Sequence, residues 1–305
     1  MKSAFYMNFN YIIFFSFILF LHIIKAQTDN TPFDYTESDW PSLCKSGSNN
    51  SPINFPALNS YSNYVNTTDY MQIVSTNYSE IVDSKFNWIS NQKFGINLEG
   101  NIGNLILKKK ETLYSYNLVE LVIKFKSEHT LNGIAGDCEL QLVHKKDKSY
   151  LSTSNTIDDD SLIDYLILSI IFKAEGDVAN NLISQINITE PYSLSALDLN
   201  QLYIRKFQDS NFFFYSGGLT YPGCDETVNW AVLENIEKMT ITQYTVIKNL
   251  LSIKYPNGNS RKVRPLNNRT VYYINKNVDD FLFFAIIIFL FYFILVYLIM
   301  KKYFI

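Results

Sequence analysis

The chain has 305 residues, which is enough for one large domain with its own core. Tyrosine, phenylalanine and other apolar residues are abundant, whereas proline and glycine are modest in number. The formal net charge of −3 gives no electrostatic support for nucleic-acid binding, so we expect no nucleic-acid partner.

Residues 1–26 predict a secretory signal peptide. Lys2 is followed by an apolar run over residues 11–24, and the small residue Ala26 closes the segment. A positive lead, a short apolar core and a small residue at its end are the marks of such a peptide. An uncleaved N-terminal membrane anchor is the alternative.

Residues 27–273 predict a β-rich domain. The stretches 104–107, 118–125 and 138–143 are short, apolar or alternating, and bounded by turn residues, as is typical of strands. The better helix candidates are residues 158–175 and 233–254. Five Asn-x-Ser/Thr sites are expected to carry glycans if they are exposed in the secretory pathway. They are Asn66, Asn77 and Asn187, and with weaker support Asn49 and Asn268.

The end of the chain predicts a membrane anchor. A short stalk, residues 274–280, leads into residues 281–300, which carry no charge and are long enough to cross a hydrocarbon core of about 30 Å as a helix. The tail, residues 301–305, begins with Lys301 and Lys302, which favours a cytoplasmic C-terminus. A glycolipid-anchor signal is the alternative, but it needs small residues upstream, where the chain has Arg269, Val271, Tyr272 and Tyr273.

Five blocks of the sequence resemble one family. Residues 40–54, 116–133, 139–144, 215–230 and 261–271 are similar, in this order, to the motifs W…C..G..QSPIN, Y.L.QFHFH.PSEHTING, ELHLVH, Y.GSLTTPPC.E.V.W and RPVQPLNGRTV of the α-class carbonic anhydrases. The resemblance implies a mainly β fold: a large, twisted, mostly antiparallel central sheet with short surface helices. To this fold the sequence adds one C-terminal transmembrane helix.

The resemblance also implies a zinc site at the bottom of a funnel, held by three histidines from two adjacent strands. The matching positions here are Val122, Lys124 and Gln141. Valine has no donor atom, a glutamine amide is a poor zinc ligand, and a protonated lysine repels a dication. We therefore expect no metal and no other cofactor. His129 and His144 are expected to be structural histidines rather than substitute ligands.

Other parts of the family's site remain. Thr220 and Glu128 match the pair that orients the zinc-bound hydroxide, Glu139 and Glu120 match groups behind the ligands, and Asn101 matches the proton-shuttle position. Val143, Leu219 and Trp230 match the apolar wall of the funnel. Because a buried charge must be paired, we expect Lys124 to occupy the metal position as a fixed cation held by Gln141, Thr220, Glu120 or Glu139. The alternative is that Lys124 extends up the funnel to water.

The cysteines agree with an extracellular domain. Cys44 and Cys224 match the disulfide of secreted members of the family. Cys138 is then expected to be a buried, inert thiol. The alternative is that Cys138 forms a disulfide with a second chain.

The sequence favours an acatalytic carbonic anhydrase-related protein that acts as an extracellular binding domain on a type I, single-pass anchor. Its partner would be the membrane together with an unidentified extracellular protein or small-molecule ligand, at the cell surface or in a secretory-pathway membrane. The alternative is an active carbonic anhydrase (carbonate dehydratase) that hydrates carbon dioxide at a non-standard zinc site. A third reading is another hydrolase in the same funnel, for which the sequence shows no nucleophile–base pair.

Overall fold

The computed structural model describes residues 35–68, 70–81, 86–90, 92–98, 102–150, 162–186, 197–276 and 287–294. Strands dominate this part of the chain. They are β1 (Asn54–Phe55), β2 (Tyr64–Thr67), β3 (Met71–Thr76), β4 (Asn87–Ser90), β5 (Lys93–Asn97), β6 (Asn104–Lys109), β7 (Thr112–Phe125), β8 (Thr130–Leu131), β9 (Ile134–Ala135), β10 (Cys138–Lys146), β11 (Tyr165–Lys173), β12 (Phe212–Gly217), β13 (Val228–Leu233), β14 (Glu237–Lys238) and β15 (Val271–Ile274).

The helices of the domain are short; the first precedes β1 and the others lie between later strands. They are α1 (Ser42–Ser46), α2 (Asn181–Gln185), a π-helical turn (Asn200–Ile204), α3 (Arg205–Asp209) and α4 (Ile241–Ser252). The expected helix at 233–254 is confirmed only in part, because Leu233 ends β13 and α4 starts later. The start of α4 is fixed by a capping box in which Thr240 and Gln243 bond to each other's backbone.

A large mixed sheet organises the domain. Its strands follow the order β2-β15-β12-β13-β11-β10-β7-β5-β4, with β6 joining β3 to the first half of β7 and β14 lying beside β11. The pairs β2–β15, β11–β13 and β11–β14 are parallel, and the other pairs of this sheet in the described residues are antiparallel. A small sheet of β1, β8 and β9 lies apart from it. The fold is thus mainly β, as expected, with a sheet that is mixed in direction.

The helix expected at 158–175 is wrong over its described part. Residues 165–173 form β11, which lies between β10 and β13 in the sheet. All residues from Leu166 to Phe172 are buried, because both faces of a central strand are covered. A strand of this kind has a continuous apolar run, and that run does not distinguish a buried strand from a buried helix.

The sheet separates two apolar clusters. Along β7, Leu121 and Ile123 point into the larger cluster, whereas Val122 points into the smaller one. This alternation follows from the two-residue period of a strand. The site described below lies on the face of the smaller cluster.

The termini of the sequence fall mainly outside the described residues. Residues 1–26 and the stalk residues 277–280 lie outside them, as does most of 281–300. Residues 287–294 are helical, and the apolar side chains from Ile288 to Ile294 are exposed. Within the described part of the chain, no helix has the length and hydropathy needed to cross a membrane.

Candidate functional site

The three positions expected to lack zinc ligands come together on adjacent strands. Val122 on β7 lies directly opposite Gln141 on β10, and Lys124 lies opposite Glu139. Directly opposed residues of an antiparallel pair share one face of the sheet, so these four side chains form one floor. Val122, Lys124, Glu139 and Gln141 are all buried.

The side chain of Lys124 is buried within this floor. Its side chain is 1% exposed, and its Nζ lies 2.9 Å from Oε1 of Glu128. The same ammonium lies 3.5 Å from the carbonyl oxygen of Asn259 and 5.4 Å from the centre of the Tyr35 ring. The alternative in which Lys124 extends to water is therefore wrong. The expected partners, which were Gln141, Thr220, Glu120 and Glu139, were also wrong, since the pairing carboxylate is Glu128.

Glu128 is the centre of the hydrogen-bond network. Its Oε1 accepts from Lys124 and from the backbone N–H of Arg261, at 2.9 and 3.1 Å. Its Oε2 accepts from Gln141 Nε2 at 2.8 Å and from Thr220 Oγ1 at 2.6 Å. Four donors on one carboxylate satisfy the charge of a side chain that water does not reach.

Glu139 forms a second buried carboxylate centre behind Gln141. Its Oε2 accepts from the backbone N–H groups of Glu128 and His129, and its Oε1 accepts from Gln141 Nε2 and Ser169 Oγ. His129 Nδ1 lies 2.9 Å from Oε1. Burial alone raises the pKa of Glu139, but the charge of His129 and these hydrogen bonds outweigh burial and lower that pKa to about 2. Glu139 is therefore held as a carboxylate.

The two retained histidines lie in separate places. His129 Nε2 lies 2.7 Å from the hydroxyl of Tyr215, so both of its ring nitrogens have protein partners. His144 lies in a different environment, with Nε2 2.6 Å from the hydroxyl of Tyr78 and Nδ1 3.2 Å from the carbonyl oxygen of Leu166. Neither imidazole has a ring nitrogen free to ligate a metal.

The donor set of this floor does not fit zinc. The position between Val122, Lys124 and Gln141 offers one ammonium, one amide and no imidazole. The ammonium is itself paired with the nearest carboxylate, so a dication there would meet a positive charge. No group of three or more His, Cys, Asp or Glu side chains in the described residues is arranged to hold a metal.

A second ion pair joins Glu120 of β7 to Lys93 of β5. Lys93 Nζ lies 2.6 and 2.8 Å from the two carboxylate oxygens of Glu120, and the two side chains are 13% and 14% exposed. The same ammonium lies 4.7 Å from the centre of the Tyr221 ring. Burial, followed by the charge of Glu120, raises the pKa of Tyr221. Glu120 is therefore paired with Lys93 and not with Lys124.

The expected wall residues belong to the smaller apolar cluster. Val143, Leu219 and Trp230 pack in this cluster with Val122, and Tyr221 lies against it. Trp230 Nε1 donates to the carbonyl oxygen of Gly218 at 3.1 Å. That bond holds the segment that carries Thr220 against β13.

The disulfide Cys44–Cys224 is confirmed, and it joins α1 to the segment after Thr220. Cys138 is a free, buried thiol, and burial raises its pKa. Four of the sequons are exposed: Asn49, Asn66, Asn77 and Asn268. Asn101, the expected shuttle position, and the sequon Asn187 lie outside the described residues.

Several residues of the network were not found from the sequence. Asn259 donates to the carbonyl oxygen of Ile123 and accepts from the backbone N–H of Phe125, which fixes the end of β7. Lys93 and Tyr35 lie outside the five sequence blocks. Only their position in the fold assigns them to the site. Arg261 opens the block 261–271, but no sequence pattern indicates that its backbone N–H donates to Glu128.

The comparisons with known proteins agree on one family. Residues 35–275 match the family model described as eukaryotic-type carbonic anhydrase. The chain is 25% identical over 185 residues to alpha carbonic anhydrase 4 of Arabidopsis thaliana, covering 60% of this chain and 62% of that protein. It thus spans less than two thirds of that relative. It is 23% identical over 278 residues to dioscorin DB3L of Dioscorea polystachya, covering 85% of this chain and 92% of that protein.

The fold comparison agrees with this match. A halotolerant carbonic anhydrase from Dunaliella salina superposes with a TM-score of 0.60 at 20% identity, covering 81% of this chain and 99% of that structure. At this identity the likeness concerns the fold.

Proposed function

Because the chain belongs to the eukaryotic-type carbonic anhydrase family, we propose that it is an acatalytic member whose domain acts outside the cell, or in the secretory lumen, as a membrane-anchored binding domain. The observation that carries the proposal is the buried pair of Lys124 and Glu128, with its 2.9 Å contact. A cation that belongs to the chain stands where the family's motif places a metal ligand.

The chemistry of the family depends on the metal that this floor does not fit. A catalytic zinc lowers the pKa of its bound water from about 15.7 to about 7. Without it, the hydroxide available at neutral pH falls by roughly eight to nine powers of ten. The side chains of this floor offer no substitute, because Glu128 and Glu139 are each fully engaged with protein donors.

Membrane anchoring is supported by the sequence of residues 281–300 and by the exposed apolar helix at 287–294. An extracellular or lumenal location is supported by the disulfide Cys44–Cys224, which forms in oxidising compartments. A binding role is supported by the intact scaffold, since a fold persists after its chemistry is lost and its function must be sought at its surfaces. The partner is an extracellular protein or a small molecule.

One observation favours an active carbonic anhydrase as the second candidate. Thr220 still donates to Glu128 at 2.6 Å, as the family's hydroxide-orienting pair requires. In this chain, however, the same carboxylate also binds the Lys124 ammonium, and that contact gives the pair a structural reason to persist.

The test is a metal analysis of the purified full chain combined with a carbon dioxide hydration assay. We expect no stoichiometric zinc and a hydration rate equal to that of buffer, with or without added zinc. One zinc per chain together with sulfonamide-sensitive turnover would establish the second candidate and overturn the first.

A further inference from the structure

The described domain ends beside a group of lysine and tyrosine side chains. After β15, the backbone N–H of Lys276 donates to Asn211 Oδ1 at 2.8 Å, and the Lys276 ammonium lies 5.9 Å from the centre of the Phe212 ring. Four residues, 277–280, separate Lys276 from the apolar segment 281–300. A chain of this length reaches at most about 17 Å. The surface around Lys276 is therefore the part of the domain closest to that segment.

Two more lysines and two tyrosines occupy this surface. Tyr70 stacks on Tyr272 of β15, with ring centres 3.5 Å apart and an angle of 8° between the planes. The ammonium groups of Lys109 and Lys110, at the turn between β6 and β7, each lie 5.7 Å from the centre of the Tyr70 ring.

The strand pairing connects this stack to the point where the chain leaves the domain. Phe214 lies opposite Tyr272, and Phe212 lies opposite Ile274, two residues before Lys276. Lys109 lies 5.8 Å from the ring centre of Phe214, on the strand that Lys276 also contacts. We call these five residues, Tyr70, Lys109, Lys110, Tyr272 and Lys276, the exit patch.

The chemistry of the exit patch fits a membrane–water interface. Tyrosine is enriched there, because its ring lies among the headgroups while its hydroxyl stays wet. Lysine packs its alkyl stem on apolar surface and extends its ammonium to lipid phosphates. Both residue types are present within one short connection of an apolar segment.

We propose that the exit patch docks on the phospholipid headgroups of the bilayer in which residues 281–300 are anchored. The inference rests on the membrane anchoring proposed above. Docking orients the domain, because β12 runs from Phe212 beside the patch to Gly217. The Gly217 end of β12, which lies near the Cys44–Cys224 disulfide, then points away from the bilayer and toward any partner.

Lysine footprinting of the full chain tests the proposal. The protein is reconstituted in vesicles of equal parts phosphatidylcholine and phosphatidylglycerol, and a second sample is kept in a nonionic detergent. Both are treated with an amine-acetylating reagent, and the modification rate of each lysine is measured by mass spectrometry. Lys148 is the internal control, because it is 75% exposed and its partner Asp164 bonds to Thr227, at the Gly217 end of β12.

We expect the modification rates of Lys109, Lys110 and Lys276 in vesicles to fall about fivefold relative to detergent, the factor that corresponds to the ~1 kcal/mol that an anionic surface contributes per lysine. The rate of Lys148 should stay unchanged. Equal rates at the three patch lysines, in protein that floats with the vesicles, would overturn the docking while leaving the anchoring intact. Failure of the chain to float would overturn both.

An acidic polypeptide is the competing occupant of a lysine patch. Protection of the three lysines by polyglutamate in detergent, without protection in vesicles, would assign the patch to such a partner and overturn the lipid proposal.

Discussion

Lys124 and Glu128 show how one substitution changes the role of a neighbouring residue. In the family's motif the carboxylate at this position serves a hydroxide through Thr220, whereas here it also neutralises a buried ammonium. The sequence predicted that Lys124 would be buried and paired, because a charge at this depth must be compensated. It did not predict the partner. Glu128 is four residues away along a turn, and only the fold shows which carboxylate oxygen faces the ammonium.

Replacing Lys124 tests the pair directly. Lys124→Met leaves Glu128 buried without its counter-ion, so we expect the free energy of unfolding to fall by about 3–5 kcal/mol. The double variant Lys124→Met/Glu128→Gln should recover much of this loss, because the remaining amide carries no charge. Urea denaturation measures both variants. Lys148→Met, at an exposed lysine, is the control and should change stability by less than about 0.5 kcal/mol. A similarly small effect of Lys124→Met would contradict the buried pair.

The burial of His144 predicts that the stability of the domain falls in acid. Burial lowers the pKa of His144 from 6.5 to about 4, although hydrogen bonds to the backbone of Leu166 and Leu142 oppose the shift. The unfolded chain then binds the proton more readily than the folded chain. Stability is therefore full above about pH 6.5 and falls as the pH drops to about 4, by roughly 3 kcal/mol in total. Urea midpoints across this range measure the slope.

The variant His144→Leu is the control for the acid prediction, because it should be insensitive to pH in the same window. The carboxylate of Glu139, with its pKa lowered to about 2, contributes stability that is lost only at lower pH, as the pH falls from 4.5 toward 2. A flat stability profile of the unchanged protein between pH 6.5 and 4 would show that His144 is not held neutral by burial.

Among the elements, β11 shows where sequence patterns stop being informative. Its run Leu-Ile-Leu-Ser-Ile-Ile-Phe is apolar at nearly every position, so it lacks the alternation that identified β7 and β10. The position of a strand within a sheet depends on contacts between distant residues. Ser169 illustrates this, because the only polar side chain of the run donates to Glu139 on the neighbouring strand. By contrast, α4 was found from a local pattern and begins at a capping box.

The disulfide connects two elements, because it ties α1 to the segment that carries Thr220. Cys44 and Cys224 are 180 residues apart in sequence. In the chain-entropy model, closing a loop of that size stabilises the fold by on the order of 5 kcal/mol. The variant Cys44→Ser/Cys224→Ser should therefore unfold at markedly lower urea concentration than the unchanged protein.

A reductant separates the effect of the disulfide from that of the substitutions. It should lower the stability of the unchanged protein and leave the double serine variant unaffected, since Cys138 is already a thiol. Equal stability of the oxidised and reduced proteins would mean that the bridge contributes nothing.

For the whole molecule, the sequence was sufficient for the family, because five motifs carry it. It did not predict the surroundings of Thr220. Tyr221 follows Thr220 where the family motif LTTPPC has a second threonine, and its ring lies under the ammonium of Lys93. That arrangement joins residues of three separate segments, so no local pattern could predict it. The family motif is thus changed at Val122, Lys124 and Gln141 and also directly after Thr220.

Restoring the three histidines tests whether the scaffold still supports the original geometry. We expect the variant Val122→His/Lys124→His/Gln141→His to bind one zinc, since Val122 and Gln141 remain directly opposed and Thr220 and Glu139 stay in place. Metal analysis after dialysis measures the stoichiometry. The matched control Val122→His/Lys124→Gln/Gln141→His has two histidines and should bind zinc much more weakly. A folded triple variant without zinc would show that the floor has shifted from the family's geometry.

We expect the triple variant to hydrate carbon dioxide slowly, because Tyr221, which stands where the family motif has a threonine, keeps its ring under the Lys93 ammonium and next to Thr220 in sequence. Adding Tyr221→Thr should raise the hydration rate without changing the zinc content. An equal rate in both variants would show that Tyr221 does not obstruct the approach.

The ammonium of Lys124 has a consequence for how the protein matures. A site that needs an ion has an unoccupied form, and its occupancy depends on delivery of that ion and on the absence of chelators. Here the positive charge is the side chain of a β7 residue, so it is present as soon as the chain is synthesised. On the proposal of a metal-free floor, the domain has a single complete form and needs no metal supply to reach it.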